Sequence, residues 1–326
     1  MCGIAGFVND MPIDVKCPVL QRMTDMIAHR GPDSEGHYID EHAALGHRRL
    51  SIIDLGGGQQ PIYNEDGSKV ITFNGEIYNY QTLREELIAA GHTFTTKSDT
   101  EVLLHGYEQW GVDLLQRVRG MFTFVIWDKN KQELFGARDH FGIKPFYYAK
   151  MNGTFMYASE IKSLLRHPDF VKELNAEALK PYMTFQYPAI GETFFKGVYK
   201  LPEGHYFTYR DGKMDIHRYY DEDFREGKQK LGELVNSIDQ TVCDSVKAHQ
   251  IADVEVGSFL SSGVDSSYVA AVARPQHTYS IGFGKGTYNE SQQAGELAEL
   301  LKLNNTAESL TDEEAFAAFP RIQWHL

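Results

Sequence analysis

Short apolar segments, rich in β-branched and aromatic residues, recur through the first half of the chain. Such segments are typical of β-strands. Between them, apolar residues recur at the three- and four-residue spacing of amphipathic helices. The predicted strands are 4–8, 43–53, 70–75, 121–128, 133–138, 146–150 and 155–159, with a hairpin turn at 127–131. The predicted helical faces are Leu20, Met23 and Ile27; Leu83, Leu87 and Ile88; and Val102, Leu103 and Tyr107. Because strands and helices are grouped rather than alternating, we expect two packed sheets with helices outside.

The pattern changes after a charged stretch at 221–230, which is the best candidate for a domain boundary. A chain of 326 residues also suggests about two domains, at roughly 150 residues each. Beyond the boundary, a buried strand is predicted at 254–260 and another strand at 278–282, and helices at 266–273 and near 294–301, with Asn289 as an N-cap. A further helical face is formed by Leu231, Leu234, Val235, Ile238, Val242 and Val246. Strands that alternate with helices predict a parallel sheet with crossover helices.

Composition and charge exclude several classes of protein. The formal net charge is −13, and no cluster of Lys and Arg offers a phosphate-binding stripe, so nucleic acid is not an expected partner. No apolar run approaches the roughly 20 residues of a membrane span, and no secretory signal is visible. Three cysteines in no zinc-binding pattern argue against a disulfide framework and for the reducing cytoplasm. We expect Cys17 and Cys243 to be inert packing residues.

Cys2 directly follows Met1. If Met1 is removed, one residue carries both a thiol and a free α-amine. The amine has an unperturbed pKa of roughly 7.7–8.0, which suits a general base, and such a nucleophile needs no histidine partner. Taken alone, Cys2 is better read as an ordinary small residue at the start of a strand.

Polar residues inside strand-like or loop segments change that interpretation. Asn74 and Gly75 suit an oxyanion hole, because a side-chain amide and a backbone N–H can point at one developing charge. Arg49 suits a carboxylate through bidentate bonding, and Glu76 and Asp99 suit an ammonium group. The alternatives are an ion pair for Arg49 and a simple turn for Asn74-Gly75. The turn is weakened because the strand-like sequence continues through 76–78.

Several motifs together resemble the glutaminase domain of class II glutamine amidotransferases. They are Cys2 after Met1, HRGPD at 29–33, RLSIID at 49–54, NGEIYN at 74–79, SDTE at 98–101, GMFTFVIWD at 120–128 and ARDHFGIKPFYY at 137–148. The resemblance implies an α+β N-terminal-nucleophile hydrolase of stacked antiparallel sheets with outer helices. It also implies that Cys2 is the nucleophile, assisted by Asn74 and Gly75. The implied glutamine-binding residues are Arg49, Leu50, Ile52, Asn74, Gly75, Glu76 and Asp99.

A second motif, at 259–267, lies between a predicted strand and a predicted helix, where backbone N–H groups can hold an anion. The Walker pattern is absent, and a Ser-rich N-cap is the alternative reading. The run resembles the S-G-G-x-D-S pyrophosphate loop of enzymes that split ATP to AMP and pyrophosphate, with Ser262 in place of the first glycine. The resemblance implies an ATP or pyrophosphate site and a magnesium ligand at Asp265. The implied ATP or pyrophosphate ligands are Leu260, Ser261, Ser262, Gly263, Val264, Asp265, Ser266 and Ile281.

The two motifs in one chain resemble glutamine-dependent asparagine synthetases. The resemblance implies a glutaminase domain at 2–212 and the first part of a parallel-sheet α/β nucleotide-binding domain at 228–326. Ammonia from glutamine would displace AMP from an aspartyl-adenylate made with ATP and Mg²⁺. The alternatives are an amide-forming relative that acts on another acid and a glutaminase-fold interaction protein. A homodimer is kept open, and we expect the sequence to continue in a longer protein.

Overall fold

The structure is a computed structural model, and it describes residues 1–187, 190–283 and 290–325. Asn289, the predicted N-cap, lies outside the described residues. The chain divides into two compact units, Met1–Phe224 and Arg225–Leu326. The division falls inside the charged stretch at 221–230. None of the described helices combines the length and apolar character that a membrane crossing requires.

The described residues of the first unit form two six-stranded antiparallel sheets. Strands β1–β12 are Gly3–Val8, Ser34–Ile39, Ala43–Arg49, Ile62–Tyr63, Lys69–Ile77, Gly120–Asp128, Glu133–Arg138, Tyr147–Met151, Thr154–Ala158, Val198–Lys200, His205–Arg210 and Lys213–Arg218. Helices α1–α5 are Ile13–Asp25, Tyr80–Ala89, Asp99–Trp110, Ile161–Leu164 and Leu179–Phe185. The strand orders are β10-β8-β9-β1-β3-β2 and β12-β11-β7-β6-β5-β4.

The two sheets enclose one apolar core. Ile4 and Tyr157 from the first sheet meet Trp127 and Phe207 from the second, and all four are buried. Helices α1 and α4 cover the outer face of the first sheet. Helix α3 covers the second, where Tyr107 stacks on a β7 phenylalanine at 4.6 Å. The layered α+β class predicted for this half is confirmed.

The strand predicted at 43–53 is four residues too long. Strand β3 ends at Arg49, whose Nη2 donates to the carbonyl oxygens of Ile53 at 3.1 Å and Asp54 at 2.7 Å. These bonds fold the chain back at 50–54, so the apolar residues there line a loop. Five strands of the first unit were missed from the sequence. β2, β4, β10 and β12 are edge strands, either very short or polar, whereas β11 is paired on both sides but carries polar residues that interrupt its apolar pattern.

The second unit contains a three-stranded parallel sheet, which confirms the predicted parallel arrangement. Its strands are β13 (Ser258–Phe259), β14 (His277–Phe283) and β15 (Asn304–Leu310). Its helices are α6 (Leu231–His249), α7 (Val264–Ala273), α8 (Ser291–Leu301) and α9 (Asp312–His325). A small core is formed by Leu260, Ala270, Ala294 and Ala298.

Two expectations about burial are wrong. The strand predicted at 254–260 is reduced to Ser258–Phe259, with Val254 41% and Phe259 80% exposed. In the described sheet β13 pairs only with β14, and an apolar run does not by itself distinguish a buried strand from an exposed edge. Cys17 is exposed on α1 rather than packed inside.

Candidate active site

A pocket lies where the start of β1, the end of β3, the end of β5 and the start of α3 meet. Its cavity volume is about 40 Å³, and the pocket opens to solvent at its mouth. The pocket brings together Cys2 and every residue predicted to bind glutamine. Its lining residues are Met1, Cys2, Arg49, Leu50, Ile52, Ile53, Gly58, Gln60, Phe73, Asn74, Gly75, Glu76, Ser98, Asp99, Thr100 and Lys144.

The Cys2 thiol is held at the start of β1 by the backbone of Leu50. The Leu50 N–H donates to Cys2 Sγ at 3.4 Å, and Sγ lies 3.5 Å from the Leu50 carbonyl oxygen. Burial raises the pKa of the Cys2 thiol, although the Leu50 N–H opposes that effect. A buried thiol with a raised pKa is a poor nucleophile until a base removes its proton.

The loop after β3 fixes the Arg49 guanidinium against the pocket wall. Besides the two carbonyl bonds of Nη2, the loop is closed by N–H groups of Gly57 and Gly58 that donate to the Asp54 carbonyl oxygen at 3.2 and 3.1 Å. A Cβ on Gly58 would lie 2.7 Å from Arg49 Nη2, so the residue must be glycine for the arginine to keep this place. Arg49 is 5% exposed and offers the pocket a buried positive charge.

Asn74 and Gly75 lie inside strand β5, so the simple turn is excluded. Asn74 is 1% exposed, and neither Oδ1 nor Nδ2 has a hydrogen-bond partner among the described residues. A buried unpaired amide is costly, which favours a bound ligand as its partner. A Cβ on Gly75 would come within 2.2 Å of the Met121 carbonyl oxygen on β6. The glycine is therefore required by strand packing, and not only by close approach of a substrate.

The SDTE segment at 98–101 forms the start of α3, and its polar side chains have different roles. The Ser98 hydroxyl caps the helix by accepting from the Thr100 N–H at 3.2 Å. Glu101 turns away from the pocket and accepts from the N–H groups of Thr95 and Thr96 at 2.8 and 2.7 Å. Asp99 faces the pocket, and its Oδ2 accepts from a β5 backbone N–H at 3.0 Å. Burial and the nearby negative charge of the pocket raise the pKa of Asp99 to about 7, against the opposing backbone N–H.

Two basic residues at the site were missed from the sequence. Arg30 Nε donates to the Cys2 carbonyl oxygen at 2.9 Å, and its Nη1 pairs with Glu160 at 3.0 Å, so Arg30 orients the backbone of Cys2. Lys144 is 3% exposed and lines the pocket, with Nζ 3.0 Å from Met1 Sδ. Both lie in the segments 29–33 and 137–148 that carry the resemblance, and that was the available signal.

The loop before α7 is closed by its own serines. Ser261 Oγ and Ser266 Oγ lie 2.7 Å apart, and the Gly263 N–H donates to Ser261 Oγ at 3.2 Å. Gly263 has φ −68°, and Ser262 is not among the described residues with positive φ, so the serine is accommodated without backbone strain. Asp265 is exposed in the first turn of α7.

The apolar residues implied as ATP or pyrophosphate ligands do not share one environment. Leu260 is 3% exposed and packs in the core of the unit, so its side chain does not face solvent. Val264 is 84% exposed, and Ile281 on β14 is 53% exposed. The loop can therefore offer hydroxyl and N–H groups and one carboxylate to an anion with its cation.

Comparisons with protein families also divide the chain into two parts, one with the Cys2 pocket and one with the loop before α7. Residues 1–220 match the family model described as a glutamine amidotransferase domain, and residues 237–326 match the asparagine synthase family. Glutamine-hydrolyzing asparagine synthetase 1 of Bacillus subtilis (strain 168) is 43% identical over 333 residues, covering 100% of this chain and 52% of that protein. Amidase chry2 of Gibberella zeae is 31% identical over 367 residues, covering 100% and 53%. The chain spans about half the length of the curated relatives it matches.

Among solved structures, the glutamine phosphoribosylpyrophosphate amidotransferase from B. subtilis superposes with a TM-score of 0.50. The match has 16% sequence identity and covers 94% of this chain and 65% of that one. An allosteric regulatory enzyme of purine biosynthesis also superposes with a TM-score of 0.50, at 14% identity. At such identities the likeness concerns the fold alone, and it agrees with the predicted fold class.

Proposed function

The chain belongs to the glutamine amidotransferase domain family, and from that premise we propose that its first unit hydrolyses the side-chain amide of glutamine. The observation that carries the proposal is that one pocket holds the Cys2 thiol, buried groups of both charge signs and the Asn74 amide, which has no hydrogen-bond partner within the described part of the chain. Acyl transfer needs a nucleophile such as the thiol and a hydrogen-bond donor to the oxyanion. Side chains of both charge signs suit the carboxylate and the ammonium group of a free amino acid.

In the proposed reaction, removal of Met1 gives Cys2 a free α-amine, which takes the proton from its own thiol. The sulfur attacks the amide carbon of glutamine, and the oxygen becomes an oxyanion that accepts hydrogen bonds from Asn74 Nδ2 and the Gly75 N–H. The oxyanion collapses, the C–N bond breaks, and the amine proton leaves with ammonia. Water then attacks the thioester and releases glutamate with the thiol restored.

Binding of the amino-acid end of glutamine is assigned to the charged walls. Arg49 pairs with the α-carboxylate, and Asp99 and Glu76 pair with the α-ammonium group. The backbone at Leu50 and Ile52, in the loop after β3, contacts glutamine from the remaining side of the pocket. Arg49 and Asp99 are already fixed by backbone hydrogen bonds, so little side-chain entropy is lost on binding.

For the whole protein we propose glutamine-dependent asparagine synthesis, supported by the asparagine synthase match at 237–326. ATP activates the aspartate side-chain carboxylate as an acyl-adenylate with release of pyrophosphate, and ammonia displaces AMP. The loop at 261–266 holds the pyrophosphate through its hydroxyl and N–H groups. Mg²⁺ takes oxygen ligands and commonly uses one or two carboxylates with substrate phosphates, which the exposed Asp265 fits. A nucleophilic thiol also needs a reducing compartment, so we place the protein in the cytoplasm. Assembly into a homodimer stays a prediction.

Product analysis of the complete gene product tests the proposal. With glutamine labelled at the amide nitrogen, ATP and aspartate, we expect labelled asparagine together with glutamate, AMP and pyrophosphate. Glutamate formation with no AMP for any of several acids would refute the synthetase, and labelled amide in a different acid would favour the relative with another acceptor. Absence of glutamate would refute the glutaminase itself.

The raised pKa of Asp99 makes glutamine binding depend on pH. Only the carboxylate attracts an ammonium group, and below about pH 7 the free carboxyl is protonated. The dissociation constant of glutamine should therefore rise about tenfold for each pH unit below 7. Calorimetry on the Cys2→Ala variant measures binding without hydrolysis and without the titration of the catalytic pair. Asp99→Asn should bind weakly at every pH, and a dissociation constant that stays level down to about pH 5 would contradict the assignment.

A further inference from the structure

Four side chains capable of binding a metal converge on the outer side of α3, on residues that the proposed glutaminase does not use. Glu65 lies in the turn between β4 and β5, and His92 in the loop after α2. His105 and Glu108 lie on α3, three residues apart and therefore on one helix face. One ligand atom from each of the four lies within 4.8 Å of all the others.

Three contacts among these side chains, two of them made by different oxygens of Glu65, are about as short as the ligand-to-ligand spacing of a tetrahedral metal site. His92 Nδ1 lies 3.1 Å from Glu65 Oε1, and His105 Nδ1 lies 3.2 Å from Glu65 Oε2 and 3.1 Å from Glu108 Oε2. Zinc bound to nitrogen and oxygen at about 2.0–2.1 Å places its tetrahedral ligands about 3.3 Å apart. Small movements would bring all four atoms to one ion.

The surrounding groups orient the ligand atoms toward the centre. The second ring nitrogen of each histidine faces an oxygen acceptor, since His92 Nε2 lies 3.2 Å from Gln109 Oε1 and His105 Nε2 lies 3.5 Å from Glu101 Oε1. A histidine that donates from Nε2 has its Nδ1 lone pair free to bind a metal. His105 is fully buried, and its Nε2 has no hydrogen-bond partner within the described residues, so its orientation depends on the 3.5 Å approach to Glu101.

Both carboxylates are also held by neighbouring hydrogen-bond donors. Glu108 Oε1 accepts from Asn64 Nδ2 at 2.7 Å, which leaves Oε2 directed at His105. Glu65 accepts from the Thr93 N–H at 3.1 Å, and its side chain is 37% exposed, which gives an ion a route from solvent. Two carboxylates and two neutral imidazoles form a mixed oxygen and nitrogen ligand set, which suits a divalent cation between hard and soft in character, such as Zn²⁺.

We propose that Glu65, His92, His105 and Glu108 form a structural zinc site. The ion joins the β4–β5 turn and the loop after α2 to the outer face of α3, the helix whose first residue is Asp99. It stabilises the helix that delivers Asp99 to the pocket and touches no reacting atom. The competing arrangement is a protonated His105 held by the carboxylates around it, with no metal.

Metal content of the intact chain decides between the two. Protein stripped with a chelator should take up about one equivalent of Zn²⁺, and unfold at a higher temperature when Zn²⁺ is present. Co²⁺ in its place should give the visible absorption of tetrahedral coordination. The measurements are made in the Cys2→Ala variant, because a thiol beside an amine could itself capture zinc.

His92→Ala should weaken zinc affinity by at least about 100-fold and abolish the thermal shift. His92→Cys supplies another zinc ligand and should restore binding, which separates loss of a ligand from loss of folding. His42→Ala removes a histidine 3.8 Å from Asp10, outside the cluster, and should leave zinc binding unchanged. No uptake by the Cys2→Ala protein, or equal uptake with His92→Ala, would overturn the proposal without affecting the proposed hydrolysis of glutamine.

Discussion

Replacing Cys2 with alanine should lower kcat for glutamine hydrolysis by at least about 10³-fold, the largest effect expected of any single substitution in the chain. The thiol is the only nucleophile proposed for the pocket, and its raised pKa means that little thiolate exists without a base. Glutamine should still bind, because the charged walls that hold its amino-acid end are unchanged. Release of glutamate and ammonia, with the dissociation constant from calorimetry, measures both quantities.

Two matched variants define what the Cys2 result means. Cys17→Ala changes an exposed cysteine on α1 and should leave kcat unchanged. A form that keeps Met1, or carries a residue before it, retains the thiol but not its α-amine, and should lose activity comparably. Full turnover by protein that mass spectrometry finds with Met1 attached would exclude the amine as base. Full turnover by Cys2→Ala would exclude the thiol itself.

The sequence predicts the layered fold well because its central strands are continuous and apolar. Strands β6 and β7 lie in the middle of the second sheet, fully paired on both edges, and their apolar runs gave their bounds within one residue. Four of the six residues of edge strand β12 are polar and the strand is largely exposed, so its pattern is that of a loop. Predictability follows burial, since only buried strands must be apolar along their length.

The site was predictable where one segment supplies both the scaffold and the chemistry. Within 98–101, Ser98 caps α3 and Asp99 faces the pocket, so a helix-start pattern and a charge argument point to the same residues. Arg30 could not be assigned in this way, because its role depends on the position of the Cys2 carbonyl, 28 residues away in sequence. The proposed zinc ligands are harder still, since Glu65 and His92 are separated by two elements in sequence and come together, with the two α3 residues, only in the folded chain.

In the second unit, residues predicted to form the apolar face of a helix are not buried. The face of α6 that carries Leu234, Val235 and Ile238 has the predicted helical spacing, but these side chains are 42%, 54% and 53% exposed. Periodicity reports which side of a helix is apolar, whereas burial requires another element to cover it. The pattern therefore predicted the helix correctly and left its packing undetermined.

Asn74→Ala should lower kcat for glutamine hydrolysis by about 10²–10³-fold while KM changes little. The amide Nδ2 has no hydrogen-bond partner within the described residues, and a developing oxyanion would accept its hydrogen bond more strongly than the neutral substrate oxygen does. An interaction that strengthens in the transition state appears in kcat rather than in KM. Steady-state kinetics at saturating and limiting glutamine separate the two constants.

Asn74→Asp makes the test specific to hydrogen-bond donation. Aspartate has nearly the shape of asparagine but replaces the donor with an acceptor, so its kcat should fall at least as far as that of Asn74→Ala. Asn79→Ala is the matched control, because Asn79 bonds to the backbone of Arg117 and Arg119 outside the pocket, and its loss should leave kcat unchanged. Gly75→Ala cannot serve in this series, since its Cβ would collide with the Met121 carbonyl oxygen and disturb β5 itself. Activity of Asn74→Asp close to that of the unaltered protein would show that the amide donates nothing to the transition state, and the oxyanion hole would have to be sought elsewhere in the pocket.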